Sequence, residues 1–288
     1  MEDIQIGNLE TVVEEVRGLW SVCEDFEGNL FAVTQKGSVH QIFDRQYQQK
    51  SSVKGKLSGI CFDPSSTFVC DTEQKLVAIC KDKGPEASNE FLELIRDWEG
   101  SPLKGPNSIA YNEVNNCLYF TDSGFLKEAS LDSPKGSLFY ADLDRMRLVD
   151  LAVDCFRYPC GLAVSPDGTR IYFAETLENR VLRLAQSSNS VPQISVFHQF
   201  TGRAGPTAIA ISDTGILCVA NFDYADYSHD GLITVLDLEG EVKGEIPVPQ
   251  SPEITGLFFS RTKPNLLYIA DSGNEVIYSL SILTNEFI

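Results

Sequence analysis

The sequence is poor in the residues that metal centres and redox chemistry draw on. It has 3 histidines in 288 residues, His40, His198 and His229, and no paired spacing between them, which argues against a histidine-based zinc site. None of its 8 cysteines forms a Cys-x-x-Cys pair. Most sit in apolar runs such as Ile60-Cys61-Phe62 and read as reduced, buried small hydrophobes. No apolar run approaches the ~18 residues that span a bilayer, so no membrane insertion is expected. Gly-x-Ser-x-Gly, Gly-x-Gly-x-x-Gly and phosphate-loop motifs are all missing. Positive charge is scarce as well: 23 Lys and Arg against 41 Asp and Glu leave a formal charge of −18. Nucleic acid and anionic membranes both require a basic face, so neither is an expected partner. The start, Met1-Glu2-Asp3-Ile4, carries no basic and apolar leader, and a cytoplasmic location is expected.

What remains is ordinary globular composition, 43% hydrophobic and 22% charged, with almost no helical periodicity. The stretch 86–97 is the one ambiguous piece. The sequence repeats instead. Leu19-Trp20-Ser21-Val22-Cys23, Leu57-Ser58-Gly59-Ile60-Cys61, Pro106-Asn107-Ser108-Ile109-Ala110, Pro159-Cys160-Gly161-Leu162-Ala163, Pro206-Thr207-Ala208-Ile209-Ala210 and Ile254-Thr255-Gly256-Leu257-Phe258 share one pattern. Each is a proline or apolar residue, a variable marker, a small residue, then an apolar pair. The markers Trp20, Ser58, Asn107, Cys160, Thr207 and Thr255 recur about every 47 residues.

A second apolar run follows each marker, as in Leu118-Tyr119-Phe120 and Ile171-Tyr172-Phe173-Ala174, across turn chemistry such as Pro166-Asp167-Gly168. Third and fourth runs complete each unit. Four short strands repeated six times predict an all-β, six-bladed β-propeller with four antiparallel strands per blade. The whole of 1–288 reads as one propeller domain, with blades at about 17–54, 55–104, 105–157, 158–204, 205–252 and 253–288. The last unit is short of an outer strand, and the loosely alternating 10–16 is expected to supply it, closing the ring.

Pro159 to Thr176, with Pro159-Cys160-Gly161-Leu162-Ala163 and Ser165-Pro166-Asp167-Gly168, resembles the six-bladed family of senescence-marker protein, gluconolactonase and luciferin-regenerating enzyme. Gly105-Pro106-Asn107-Ser108 with Tyr119-Phe120-Thr121-Asp122 is similar to the same family. Glu178 to Leu184 resembles its strictosidine-synthase-like branch, and Ile269 to Ile277 an NHL repeat. The resemblance implies an axial divalent metal, usually calcium, held by marker-column oxygens. The matching positions here are Trp20, Asn107, Cys160 and Thr207, and only Asn107 keeps the family's residue type. An indole, a thiol and a hydroxyl are poor ligands for a hard cation, so no metal or other cofactor is expected. Glu14 and Glu15 are the nearest carboxylates that a shifted alignment of blade one would bring in. Trp20 is expected to plug the channel.

A second column follows the second strands: Asp71, Asp122, Glu175, Asn221 with Asp223, and Asp271. These side chains either cap turns by accepting backbone N–H bonds or form an acidic mouth on the marker face. Glu175 and His229 are the catalytic candidates. Glu175 occupies a place where the strictosidine-synthase resemblance implies an amine-binding Glu. His229 lies in the polar insertion 221–231. Two functions follow. The first is a non-catalytic binding or scaffold propeller that takes a protein or small molecule on this face. The alternative is a lactone or ester hydrolase using calcium or another divalent ion in the central pocket.

Overall fold

The apolar runs fold as antiparallel meanders, each run pairing with the next across a tight turn. Residues 4–84, 87–186, 191–202, 204–223 and 229–284 are described in the computed structural model. Six antiparallel sheets surround one axis as a six-bladed β-propeller, and among the described residues the only helical turns are Leu126–Glu128 and Thr176–Glu178. The inner strands are Leu19–Glu24, Leu57–Phe62, Pro106–Asn112, Pro159–Val164, Ala204–Ile211 and Ile254–Phe259. These are the six repeated segments. Each inner strand packs on the next, and the last packs on the first. The ambiguous stretch contains the outer strand of blade two, Leu92–Ile95.

Six apolar clusters fill the structure, one between each pair of neighbouring blades. Phe68, Leu118 and Phe120 lie between blades two and three, and Tyr119, Phe173 and Leu184 between blades three and four. Cys218, Ile233 and Leu267 join blades five and six. Val22, Ala32 and Ile277 join blades six and one. Because a blade is buried on both faces, its strands lose the in–out alternation of a surface sheet, as in Leu57–Phe62 and Ser66–Asp71, where every residue is buried, polar ones included.

The ring is closed by the chain's beginning, as expected from the sequence. The last strand, Val276–Thr284, pairs with Glu10–Val13 over Ile277 to Ser279, and with a further short strand, Ile4–Ile6, over Ile282 to Thr284. Val16 N donates to the Glu275 carbonyl at 2.9 Å, and Gly18 N to the Glu275 carboxylate at 2.8 Å. At the opposite end of the inner strands the buried Glu24 carboxylate accepts from Ser260 Oγ at 2.9 and 3.0 Å and from Arg261 N at 2.8 Å. The seam is therefore bonded at its rim and at its axis.

Deleting residues 1–13 removes the partners of Val276–Thr284 and leaves a long open edge. The thermal midpoint should fall by about 5 °C or more, at about 2–4 °C per kcal/mol for a chain of this size. The truncated protein should also associate with rising concentration in light scattering.

Candidate functional site

The six markers sit where the inner strands converge. Each inner strand shifts register there, between Leu19 and Ser21, Leu57 and Gly59, Pro106 and Ile109, Pro159 and Leu162, Pro206 and Ala208, and Ile254 and Gly256. A bulge leaves backbone groups outside the ladder, and side chains from the preceding blade take them up. Ser58 Oγ donates to the Pro106 carbonyl at 3.0 Å, and Cys160 Sγ to the Thr207 carbonyl at 3.1 Å. Thr207 Oγ1 donates to Ile254 O at 2.9 Å, and Thr255 Oγ1 to Trp20 O at 2.5 Å. Asn107 Nδ2 donates to Tyr158 Oη at 3.2 Å. In blade one the donor is not the marker Trp20 but Gln35, whose Nε2 donates to Leu57 O at 3.1 Å. Six hand-offs, one per interface, make a continuous belt around the axis.

The small residue after each marker has a steric cause. A Cβ on Gly59 would lie 2.9 Å from Asn107 O, one on Gly161 2.7 Å from Ala208 Cα, and one on Gly256 2.9 Å from Ser21 Cα. Backbone meets backbone between blades at these points.

The axis holds a cavity of about 450 Å³, lined by Ser58, Asn107, Thr207 and Thr255 among others. Trp20 and Cys160 are not in its wall. In blade one the wall begins at Ser21, just past the bulge, so Trp20 is not part of it. Cys160 is turned to Thr176 Oγ1, 2.7 Å away. Burial pushes its thiol up to about 11, so it stays protonated. Glu14 and Glu15 are exposed, and Tyr47, on the outer strand of blade one, donates to the Glu15 carbonyl. Both are peripheral to the axis. The donors the metal would need are therefore a thiol, a hydroxyl engaged with a carbonyl and one amide. Among the described residues no three His, Cys, Asp or Glu converge as a ligand set, and this donor chemistry does not fit a hard divalent cation.

The second column is buried instead of forming an open mouth. Asp122 accepts from Lys104 N at 2.9 Å and Gly105 N at 2.7 Å, and Asp71 from Lys56 N at 3.1 Å and Gln74 N at 2.9 Å. Glu175 accepts from Arg157 N at 2.7 Å and pairs with Arg180 at 2.8 Å. These three acids tie the strand that enters each blade to that blade's own sheet. Asp271 caps its turn through Gly273 N and Asn274 N, at 3.1 and 3.2 Å. Asn221 Nδ2 donates to Thr234 Oγ1 at 2.9 Å, and Asp223 is half-buried at the end of its strand. All but Asp223 are buried, and none lines the axial cavity. Glu175 is therefore not presented to a ligand there. His229 is exposed, while 224–228 of its insertion lie outside the described residues. His40 and His198 are strand residues; burial lowers the pKa of His40, and His198 Nδ1 lies 2.8 Å from Gly240 O.

Sequence reasoning missed the other mouth of the channel. Glu113 of blade three and Arg261 of blade six stand on opposite sides of the ring, and their ion pair crosses it. Arg261 lies over the Phe26 ring, 4.4 Å from its centroid, and Phe26 meets Tyr111 edge-on at 6.3 Å. The only available signal was the single cationic turn, Arg261-Thr262-Lys263, among first turns that elsewhere carry acids: Asp25, Asp63, Glu113, Asp167 and Asp213.

The model of the SMP-30/Gluconolactonase/LRE-like region matches residues 24–273. A search of the curated proteins gives no match. Among solved structures, a gluconolactonase from Xanthomonas campestris is 18% identical with a TM-score of 0.78, over 96% of this chain and 90% of that one. A calcium-binding regucalcin from Agrobacterium tumefaciens is 15% identical with a TM-score of 0.77, over 98% and 96%. A luciferin-regenerating enzyme is 16% identical with a TM-score of 0.74, over 97% and 96%. At these identities the likeness is one of fold.

Burial raises the pKa of Asp122 above its ordinary 3.8, against the opposing bonds from Lys104 and Gly105 N–H. A carboxyl raised by folding contributes stability that is present below 3.8 and is lost as pH rises through its folded pKa. Asp122→Asn lacks this titration. Its stability deficit relative to wild type, read from urea unfolding, should shrink as pH rises through that window. Asp122→Ala, which lacks the same titration, should show the same narrowing on top of a further cost of about 1–3 kcal/mol, because it orphans two backbone donors.

Proposed function

Because the chain belongs to the SMP-30/gluconolactonase/LRE-like family but commits its axial donors to holding the ring, we propose that it is a ligand-binding propeller without metal chemistry. The carrying observation is the belt: the Cys160 thiol and the Thr207 hydroxyl, at positions where the family's metal site draws its ligands, are weak neutral donors that donate to carbonyls of the next blade. The cavity of about 450 Å³ is of a size that takes a small molecule. The eight free cysteines, seven of them buried, support a reducing, cytoplasmic setting. Among the described residues no helix is long and apolar enough to cross a membrane.

Metal-dependent lactone hydrolysis is the second reading. It is favoured by Asn107, an amide oxygen donor of the expected type that lines the cavity. There, a bound cation would supply carbonyl polarisation.

Thermal melting with millimolar calcium or manganese, paired with an assay on glucono-δ-lactone, separates the two. The binding reading expects an unchanged midpoint and no turnover above the spontaneous rate. A metal-dependent rise in midpoint accompanied by turnover would replace it with the hydrolase.

A further inference from the structure

A second hollow, of about 310 Å³, opens on the marker face beside the channel. Lys75, Lys104, Lys135 and Arg157 line it, with Glu128 as the one acid. In a chain with 41 acids and 23 bases, four cations to one carboxylate is a local reversal of sign. Two of the four are partly neutralised. Lys104 pairs with Asp154, and Arg157 with Glu178 at 2.9 Å. Lys75 and Lys135 have no acid within ion-pair distance among the described residues. Their charges are therefore uncompensated at contact range, and in the protein's hollow they are focused.

Tyr158 joins this hollow to the axis. It lines the hollow, and its oxygen accepts from Asn107 Nδ2 at 3.2 Å, while Asn107 lines the channel. Its own hydroxyl proton has no acceptor among the described residues, and burial raises its pKa, so it remains a neutral donor. Its backbone is left-handed, φ 60°, a conformation that costs a bulky residue energy and is retained where the surroundings enforce it.

We propose that this hollow binds a small, multiply charged anion, a phosphate ester or a polycarboxylate, with Lys75 and Lys135 as free point charges and Tyr158 as the neutral donor on the channel side. Lys104 and Arg157 turn from Asp154 and Glu178 toward the ligand or share their donors with it. The proposal rests on the marker face being the ligand face, but not on whether the axis holds a metal.

Isothermal titration of the full chain with pyrophosphate, and separately with citrate, at fixed ionic strength tests it. One site is expected for at least one of the two, weakened about tenfold or more in Lys75→Glu/Lys135→Glu, because both uncompensated charges facing the anion are reversed. Tyr158→Phe should weaken binding several-fold. Lys50→Glu, on the outer strand of blade one, should bind as wild type does. Both lysines are exposed, so the double variant should melt with the wild type. Binding of pyrophosphate alone or of citrate alone supports the site and identifies its chemistry. Binding of neither, or equal binding by the double variant, overturns it. Metal-dependent lactone turnover would defeat the preceding reading and leave this result standing.

Discussion

Six strands cannot converge on one axis unless backbone is allowed to touch backbone. That constraint sets the repeated motif. At the point of contact only glycine, alanine or serine fits, and a Cβ on Gly161 would already lie 2.7 Å from the next blade. The close approach coincides with a bulge in every inner strand, and the bulge releases carbonyls that need donors. The marker before the small residue answers that need in four blades and Gln35 in a fifth, while Asn107 reaches the next blade through the Tyr158 hydroxyl. Packing, hydrogen bonding and ring closure are one arrangement seen at three scales.

This arrangement accounts for the chemistry of the axis. The belt fixes what these side chains offer a cation. The Thr207 hydroxyl, its proton given to Ile254 O, keeps its lone pairs but is a neutral, weak donor for a hard ion, and a buried thiol that stays protonated is not a thiolate donor. The family frame is kept across 24–273, while five of the six marker side chains bond to the next blade of the ring.

The fold was legible because the repeat is periodic and the alternation of runs is strong. Small residues and turn signals such as Pro166-Asp167-Gly168 fall at fixed offsets, and the unpaired final blade required a strand from the N-terminus. The site was less legible, for two reasons. A bulge changes which way a residue faces, so Trp20 and Cys160 could not be placed by counting. Solvation is not written in the pattern either: Asp71, Asp122 and Glu175 look like a surface column, yet each is buried under backbone N–H groups from the incoming strand. Solvent-facing acids lie instead at sites such as Asp167 and Asp213, in first turns at the opposite end. Arg261 and Glu113 are 148 residues apart, and nothing local announces that they meet.

Their meeting has a kinetic meaning. A tube open at both ends lets solvent leave ahead of an arriving molecule. A tube with a bar across one mouth still passes water there but not a larger molecule. Whatever moves through that mouth must first part the pair. Arrival and departure by that route then share one bottleneck, and a change that tightens it slows both together, altering how long an occupant stays without altering how tightly it is held.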